Sequence, residues 1–279
     1  MKPPPGSQIN WGDPINRGLV GRWLMNEGGG NTLYDMTGNS HMVGLLFPGF
    51  ANSKFGKARH ITTGSSRSFS LNASIAQSKL QGGDFDQSYT AWVKFDTTPP
   101  ATNLSIFGNR GGAFVGGLWL QWLGDVIGSS WYNDTVRVIQ LRANALGTPT
   151  VGQWYFLAVT YSKATSTGTL YVDAKQVDSA VASPTPPTAG SDTVFGISTG
   201  TGSGSFDGII DLPCGWRRCL TTSEILRLYR EPFAGIYVPR RRSVSTPLVK
   251  IPNPTPYPID LRDDVGVPLP AGLDVSNWV

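Results

Sequence analysis

The chain has 279 residues, enough for one large sandwich or two small domains. Only 15% of residues are charged, the net charge is +4 and there are two cysteines. That balance argues against a disulfide framework and a strongly basic nucleic-acid binder, so no direct nucleic-acid partner is expected. Gly and Pro (34 and 21), together with 9 Trp, 9 Tyr and 12 Phe, favour many short strands joined by tight turns. The opening MKPPPGSQINWGDP has no apolar core of a secretory signal, and no run of about 18 apolar residues follows. Synthesis in a cytoplasm and no membrane span are the expectations.

In chain order, residues 1–17 are Pro/Gly-rich and polar and read as an extended arm. Strand signals then recur at short intervals from 18 to 235. Leu19–Leu24 is the first. In Tyr89–Phe95, Tyr89, Ala91, Val93 and Phe95 share one face and Thr90, Trp92 and Lys94 the other. Leu118–Trp122 and Val136–Leu141 follow. Trp154–Tyr161 is long and apolar, as expected of a central strand covered on both faces, and Gly168–Asp173 pairs with it through the 162–167 turn. Phe195–Ile197 and Gly208–Asp211 complete the set. Thr221-Thr222-Ser223-Glu224 is a capping box that opens a helix with Ile225, Leu226, Leu228 and Tyr229 on its apolar face and Pro232 at its end. Residues 236–279 carry seven further prolines beyond Ser243 and read as a second extended arm, partly polyproline-like.

Cys214 and Cys219 are five apart, so in one regular strand they point to opposite faces and a bridge between them needs a bend. They are expected as free thiols, one or both buried. His41 and His60 lie far from them in sequence, which leaves zinc without a ligand set.

These segments, in this order, resemble a laminin-G-like (pentraxin-like) jelly roll of the concanavalin A-like class. The resemblance is carried by Gly18–Gly30 with Asp35–Asn39, by Phe55-Gly56-Lys57-Ala58, by Ser88–Val93 and by Gln153–Tyr161 with Leu170–Asp173. It closes on Phe206–Asp211 with Leu220–Ile225. It implies an all-β, antiparallel two-sheet sandwich over residues 18–235 with one short C-terminal helix. Two departures stand out. Pro213 lacks a ladder donor, so its strand is expected at an edge or bent. Asp173-Ala174-Lys175 stands where the family often has Asp-Gly-Lys, so a different turn is expected. Leu228–Arg240 resembles the way such domains end in tailed-phage and environmental viral proteins.

The resemblance implies a structural Ca²⁺ between the opening loop and the closing strand, with Glu27, Asp35, Asn39 and Asp211 as the matching oxygens. The bland alternative is an Asx-type turn at Asp35 and Asn39, with Asp211 paired to an arginine. Carbohydrate binding would use exposed aromatic faces beside amide and carboxylate groups. Trp119, Trp122, Trp131, Tyr132, Asn133 and Asp134 are the richest such stretch. Sandwich aromatics are more often core, and Trp119 and Trp122 fall on opposite strand faces. For a glycosidase of this fold, carboxylate pairs are scarce: the glutamates are Glu27, Glu224 and Glu231, and Glu224 is already a cap. Asn72, Asn103 and Asn133 match the glycosylation pattern, which carries no weight without a signal peptide.

The expectation is a non-enzymatic virion structural protein, a capsid decoration or fibre-like subunit assembled in a host cytoplasm. It would display a sandwich that can bind surface glycans. Attachment to other virion proteins or to copies of itself, as an oligomer, would run through the arms, with Arg240, Arg241, Arg242, Pro252, Pro254 and Trp278 as assembly residues. A stand-alone carbohydrate-binding module and a glycoside hydrolase are the other readings.

Overall fold

Alternating and fully apolar strand segments give this chain two facing sheets. The computed structural model describes residues 1–237 apart from 5, 31, 40–41, 46–48, 62–67, 72–82, 99–103, 111–116, 124, 189–191 and 196–205. In chain order the strands are β1 (Gln8–Ile9), β2 (Leu19–Arg22), β3 (Thr32–Leu33), β4 (Met42–Leu45), β5 (Gly49–Asn52), β6 (Lys57–Ile61), β7 (Ser68–Leu71), β8 (Gln87–Phe95) and β9 (Leu104–Arg110). Then come β10 (Gly117–Leu123), β11 (Val126–Asn133), β12 (Val136–Arg142), β13 (Trp154–Ser162), β14 (Thr167–Val172), β15 (Lys175–Val181), β16 (Asp192–Phe195) and β17 (Gly208–Trp216). Helix α1 (Thr222–Arg230) and β18 (Ile236–Tyr237) end the described chain.

One sheet runs β15-β14-β13-β8-β17-β6-β5 with β2 also on β17, and the other runs β12-β11-β10-β9-β16-β7-β4-β3. The pairings are antiparallel, which makes the expected all-β concanavalin A-like jelly roll. The face read from β8 is the one observed: Tyr89, Ala91, Val93 and Phe95 enter the core between the sheets, joined by Tyr155, Leu157, Val159 and Tyr161 of β13. The opposite faces of the same strands are also covered. Trp92, Phe156 and Ala158 pack under a second layer that includes Ile225 and Leu228 of α1. Burial on both faces is why β13 reads as a nearly unbroken apolar run.

The capping box forms as predicted: the Glu224 amide donates to the Thr221 hydroxyl, and the Thr221 amide donates to the Glu224 carboxylate. Arg218 grips the same carboxylate with both terminal nitrogens, each at 2.7 Å. The β14–β15 turn places Asp173 and Ala174 at φ of 50° and 62°, the conformation a type I′ hairpin turn requires of both central residues, here without glycine.

Of the two alternatives for Pro213, an edge or a bend, the structure shows the bend: β17 lies between β8 and β6. The missing donor is absorbed by a bulge: register with β8 shifts between Asp211 and Cys214, and Leu212 takes φ 49°. Past the bulge the partner changes from β6 to β2, with Cys214 opposite Arg22. One expectation needs correction: residues 1–17 are not a free arm. β1 pairs with β18, Ile15 is buried under the Trp216 indole, whose Nε1 donates to the Ile15 carbonyl at 2.8 Å, and Asn16 donates to Gly235 O at 2.7 Å. Ile9 and Ile15 supply the apolar anchors that a Pro/Gly count does not register.

Met1–Pro239 form one compact unit; residues 240–279 lie outside the described residues, and with them Arg240, Arg241, Arg242, Pro252, Pro254 and Trp278.

Candidate functional site

The four oxygens expected to gather round a calcium ion do not converge. The Asp35 carboxylate accepts from the backbone amides of Arg22 (2.8 Å), Thr37 (2.9 Å) and Asn39 (3.2 Å) and from the Thr37 hydroxyl. That is the turn-forming alternative, extended to lock β2 onto the loop. Asn39 turns its Nδ2 to the Thr37 hydroxyl at 3.0 Å. Glu27 accepts from the Tyr34 amide at 3.1 Å and stands 3.7 Å from the Arg59 guanidinium. Asp211 pairs with a lysine, not with the expected arginine: Lys2 Nζ is 2.6 Å from its Oδ1. Among the described residues no cluster of three His, Cys, Asp or Glu side chains is placed to hold a metal ion. The residues present do not fit calcium.

Burial pushes the Asp211 carboxyl above its ordinary range, with Lys2 opposing, and the same burial pushes the Lys2 ammonium down, with Asp211 opposing. Both sulfur atoms are free thiols, Cys214 buried and Cys219 partly so, as expected. Burial raises each thiol to about 11, which leaves them unreactive near neutrality.

The aromatic stretch expected to bind sugar is divided. Trp131 is a core residue with no exposed surface, packed between the sheets against Tyr161 at 6.1 Å between ring centroids. A side chain there cannot meet a ligand. Asn133 spends its Nδ2 on the Pro186 carbonyl at 2.6 Å, and Asp134 takes the φ 51° turn position with its amide on Thr188. Tyr132 is half-buried beside them. In the ladder Trp119 pairs with Ser130 and Trp122 with Ile127, three rungs apart; their side chains lie outside the described residues.

Two surface cavities are lined by described residues. The first, about 590 Å³, opens at the end of the sheet where β8 begins and β13 and β17 end, and is lined by Phe85, Asp86, Lys163, Ala164 and Arg217. The Arg217 guanidinium lies 3.8 Å from the Phe85 ring centroid, and Lys163 Nζ is 3.2 Å from Asp84. Its aromatic face is therefore already covered by a cation.

The second, about 440 Å³, is walled by the opening loop and the N-terminal segment: Pro4, Gly6 and Ser7 on one side, Leu24, Asn26, Glu27, Tyr34 and Met36 on the other. Tyr34 is 60% exposed. Asn26 is held by its Nδ2 on the Pro3 carbonyl at 3.2 Å, and Glu27 by the Tyr34 amide and Arg59. A phenol ring with apolar Leu24 and Met36 beside it, and amide, carboxylate and hydroxyl groups at its rim, offers one stacking surface and several hydrogen-bonding groups. The sequence drew attention to this loop through Glu27 and Asp35, for metal chemistry; Tyr34 between them was missed. Its signal was a large aromatic in a Gly-rich loop that no strand pattern claims.

The sequence profile described as the Concanavalin A-like lectin/glucanases superfamily matches residues 63–226. No curated protein matches the sequence. Among solved structures, the binding domain of Paraclostridial Mosquitocidal Protein 1 superposes with a TM-score of 0.62 at 14% identity, covering 79% of this chain and 53% of that one. Domain 4 of AbnA, a GH43 extracellular arabinanase from Geobacillus stearothermophilus solved with arabinotriose, gives 0.55 at 19% identity over 76% of this chain and 98% of that one. Trypanosoma rangeli sialidase, solved with sialic acid, gives 0.54 at 14% identity over 76% of this chain and 33% of that one. The chain thus spans about half the length of the first of these, and at such identities the likeness is one of fold. With the profile matching more than half of its residues, the chain belongs to the concanavalin A-like lectin/glucanase superfamily.

Proposed function

We propose that this sandwich is a non-catalytic glycan-binding domain that takes a sugar in the opening-loop cavity, and that it forms the exposed part of a virion structural protein. The observation that carries the binding half is Tyr34, an exposed aromatic set in a cavity with Asn26, Glu27 and Ser7 at its rim. The solved neighbours named for arabinotriose and sialic acid support the ligand class, at the level of fold alone. Against catalysis, the glutamates have structural partners: Glu27 with Arg59 and the Tyr34 amide, Glu224 with Arg218 and the helix start, Glu231 with Arg227. Asp84 and Asp86 are likewise engaged, by Tyr161 and Lys163. A glycosidase needs two carboxyl groups free to face one bond.

The virion half rests on the viral-type ending at 228–240 and on the Pro-rich residues beyond it, which would attach the domain to other virion proteins or to copies of itself in a host cytoplasm. The test is twofold. On a glycan array, Tyr34→Ala should weaken binding at least about tenfold, with an unchanged circular dichroism spectrum; equal binding refutes the cavity. Deleting 243–279 should abolish incorporation into particles while leaving glycan binding intact; normal incorporation refutes the attachment.

A further inference from the structure

We propose that Lys2 acts as a tethered cation: its ammonium fills an oxygen cradle between the opening loop and the closing strand, where a calcium ion was expected. Three elements build the cradle. The Leu24 carbonyl follows β2 and accepts from Lys2 Nζ at 2.5 Å; the Lys57 carbonyl opens β6 and also accepts; Asp211 Oδ1, at the β17 bulge, lies at 2.6 Å. An ammonium has three donors, and each one finds an oxygen here.

The charge balance favours the lysine. One carboxylate faces one ammonium, and Glu27, the next acid, is drawn off by Arg59 and the Tyr34 amide. The Lys2 side chain is 4% exposed and Asp211 is fully buried, so solvent screening is slight. The backbone is fixed too: the Lys2 amide donates to Phe55 O at 3.0 Å, and its stem runs beside Gly56, where a Cβ would lie 3.6 Å from Lys2 Cγ. Held there, the segment keeps Pro4, Gly6 and Ser7 in place as a wall of the 440 Å³ cavity. The inference stands whether or not that cavity binds sugar.

The bulge at Pro213 belongs to the same device. It breaks the β17 ladder one residue past Asp211, and the Leu212 amide donates to the Asp211 carboxylate at 2.9 Å. The strand irregularity thus aims the single buried carboxylate of the cradle at Lys2.

The experiment is a set of thermal melts on the full chain, each in calcium chloride and in EDTA. The wild-type Tm should be the same in both. Lys2→Met, which strands a buried Asp211, should lower Tm by about 10 °C, and so should Asp211→Asn. The double variant Lys2→Met/Asp211→Asn should lose much less than the two single losses added, because no buried charge is left unpaired. A wild-type Tm that rises with calcium would overturn the proposal, as would single variants that melt like wild type or a double variant whose loss equals the sum.

Discussion

The contact between Trp131 and Gly168 gives a test of the core that also separates packing from ligand binding. A Cβ on Gly168 would lie 3.0 Å from Trp131 Cζ3 and 3.2 Å from Cη2, with Ile139 Cδ1 at 3.3 Å. Those two ring carbons are the far edge of the indole, the part a phenylalanine lacks. Gly168→Ala should therefore overpack the core and cost about 1–3 kcal/mol. Trp131→Phe opens a hole at the same place, costing a similar amount. Part of that is offset because the buried indole Nε1 has no acceptor among the described residues. In the double variant the new methyl enters the space the indole vacated. The losses should then fall short of additivity by about 1–2 kcal/mol, worth several degrees in Tm for a domain of this size. Urea unfolding of the four proteins, with m values compared, measures it. Additive losses would refute the packing as described. A loss of glycan binding in Trp131→Phe at unchanged stability would show that the indole meets ligand after all.

Two further outcomes follow from the titrating groups. With both thiols raised to about 11 by burial, neither Cys214 nor Cys219 should label with iodoacetamide at pH 7 in the native protein, whereas both should label in urea; intact-mass spectrometry reads this directly. The Arg227 guanidinium, on both oxygens of Asp13 at 2.7–2.8 Å, holds the Asp13 carboxyl below its ordinary value. A depressed carboxyl stabilises the fold above its unfolded pKa, and that contribution disappears as pH falls through the folded value. Asp13→Asn should therefore cost stability at pH 7, less than about 1 kcal/mol because Arg227 is 40% exposed. The difference from wild type should vanish on acidification below about pH 4. A gap that persists in acid would contradict the assignment.

Much of the sandwich could be read from strand alternation because both faces of its central strands are apolar for separate reasons. Tyr89, Ala91, Val93 and Phe95 face the opposite sheet, while Trp92 meets the layer of α1. The helix start was equally plain, since a capping box is a local chemical pattern. What escaped the sequence depends on long-range partners. Nothing near Lys2 announces Asp211, over two hundred residues away, so the N-terminal segment reads as a solvated arm. Pro213 signals a broken ladder, yet only the switch of partner from β6 to β2 shows how an interior strand tolerates it. Trp131 looked like a ligand platform because Tyr132, Asn133 and Asp134 follow it. In β11 the indole alternates inward while the polar residues after it build a turn. Tyr34 belonged to no periodic segment, so no pattern pointed to it.

The pairing of β1 with β18 sets how the domain bears load. Gln8 lies opposite Tyr237 and Ile9 opposite Ile236, so the chain enters and leaves the ladder side by side. Strain from the N-terminal side therefore meets the Lys2 anchor on Asp211 first, and once that gives way tension peels the ribbon one rung at a time instead of shearing its hydrogen bonds together. Because β1 and β18 lie side by side, linkers joined ahead of Met1 and behind Tyr237 would leave both that ribbon and the Lys2 anchor in place.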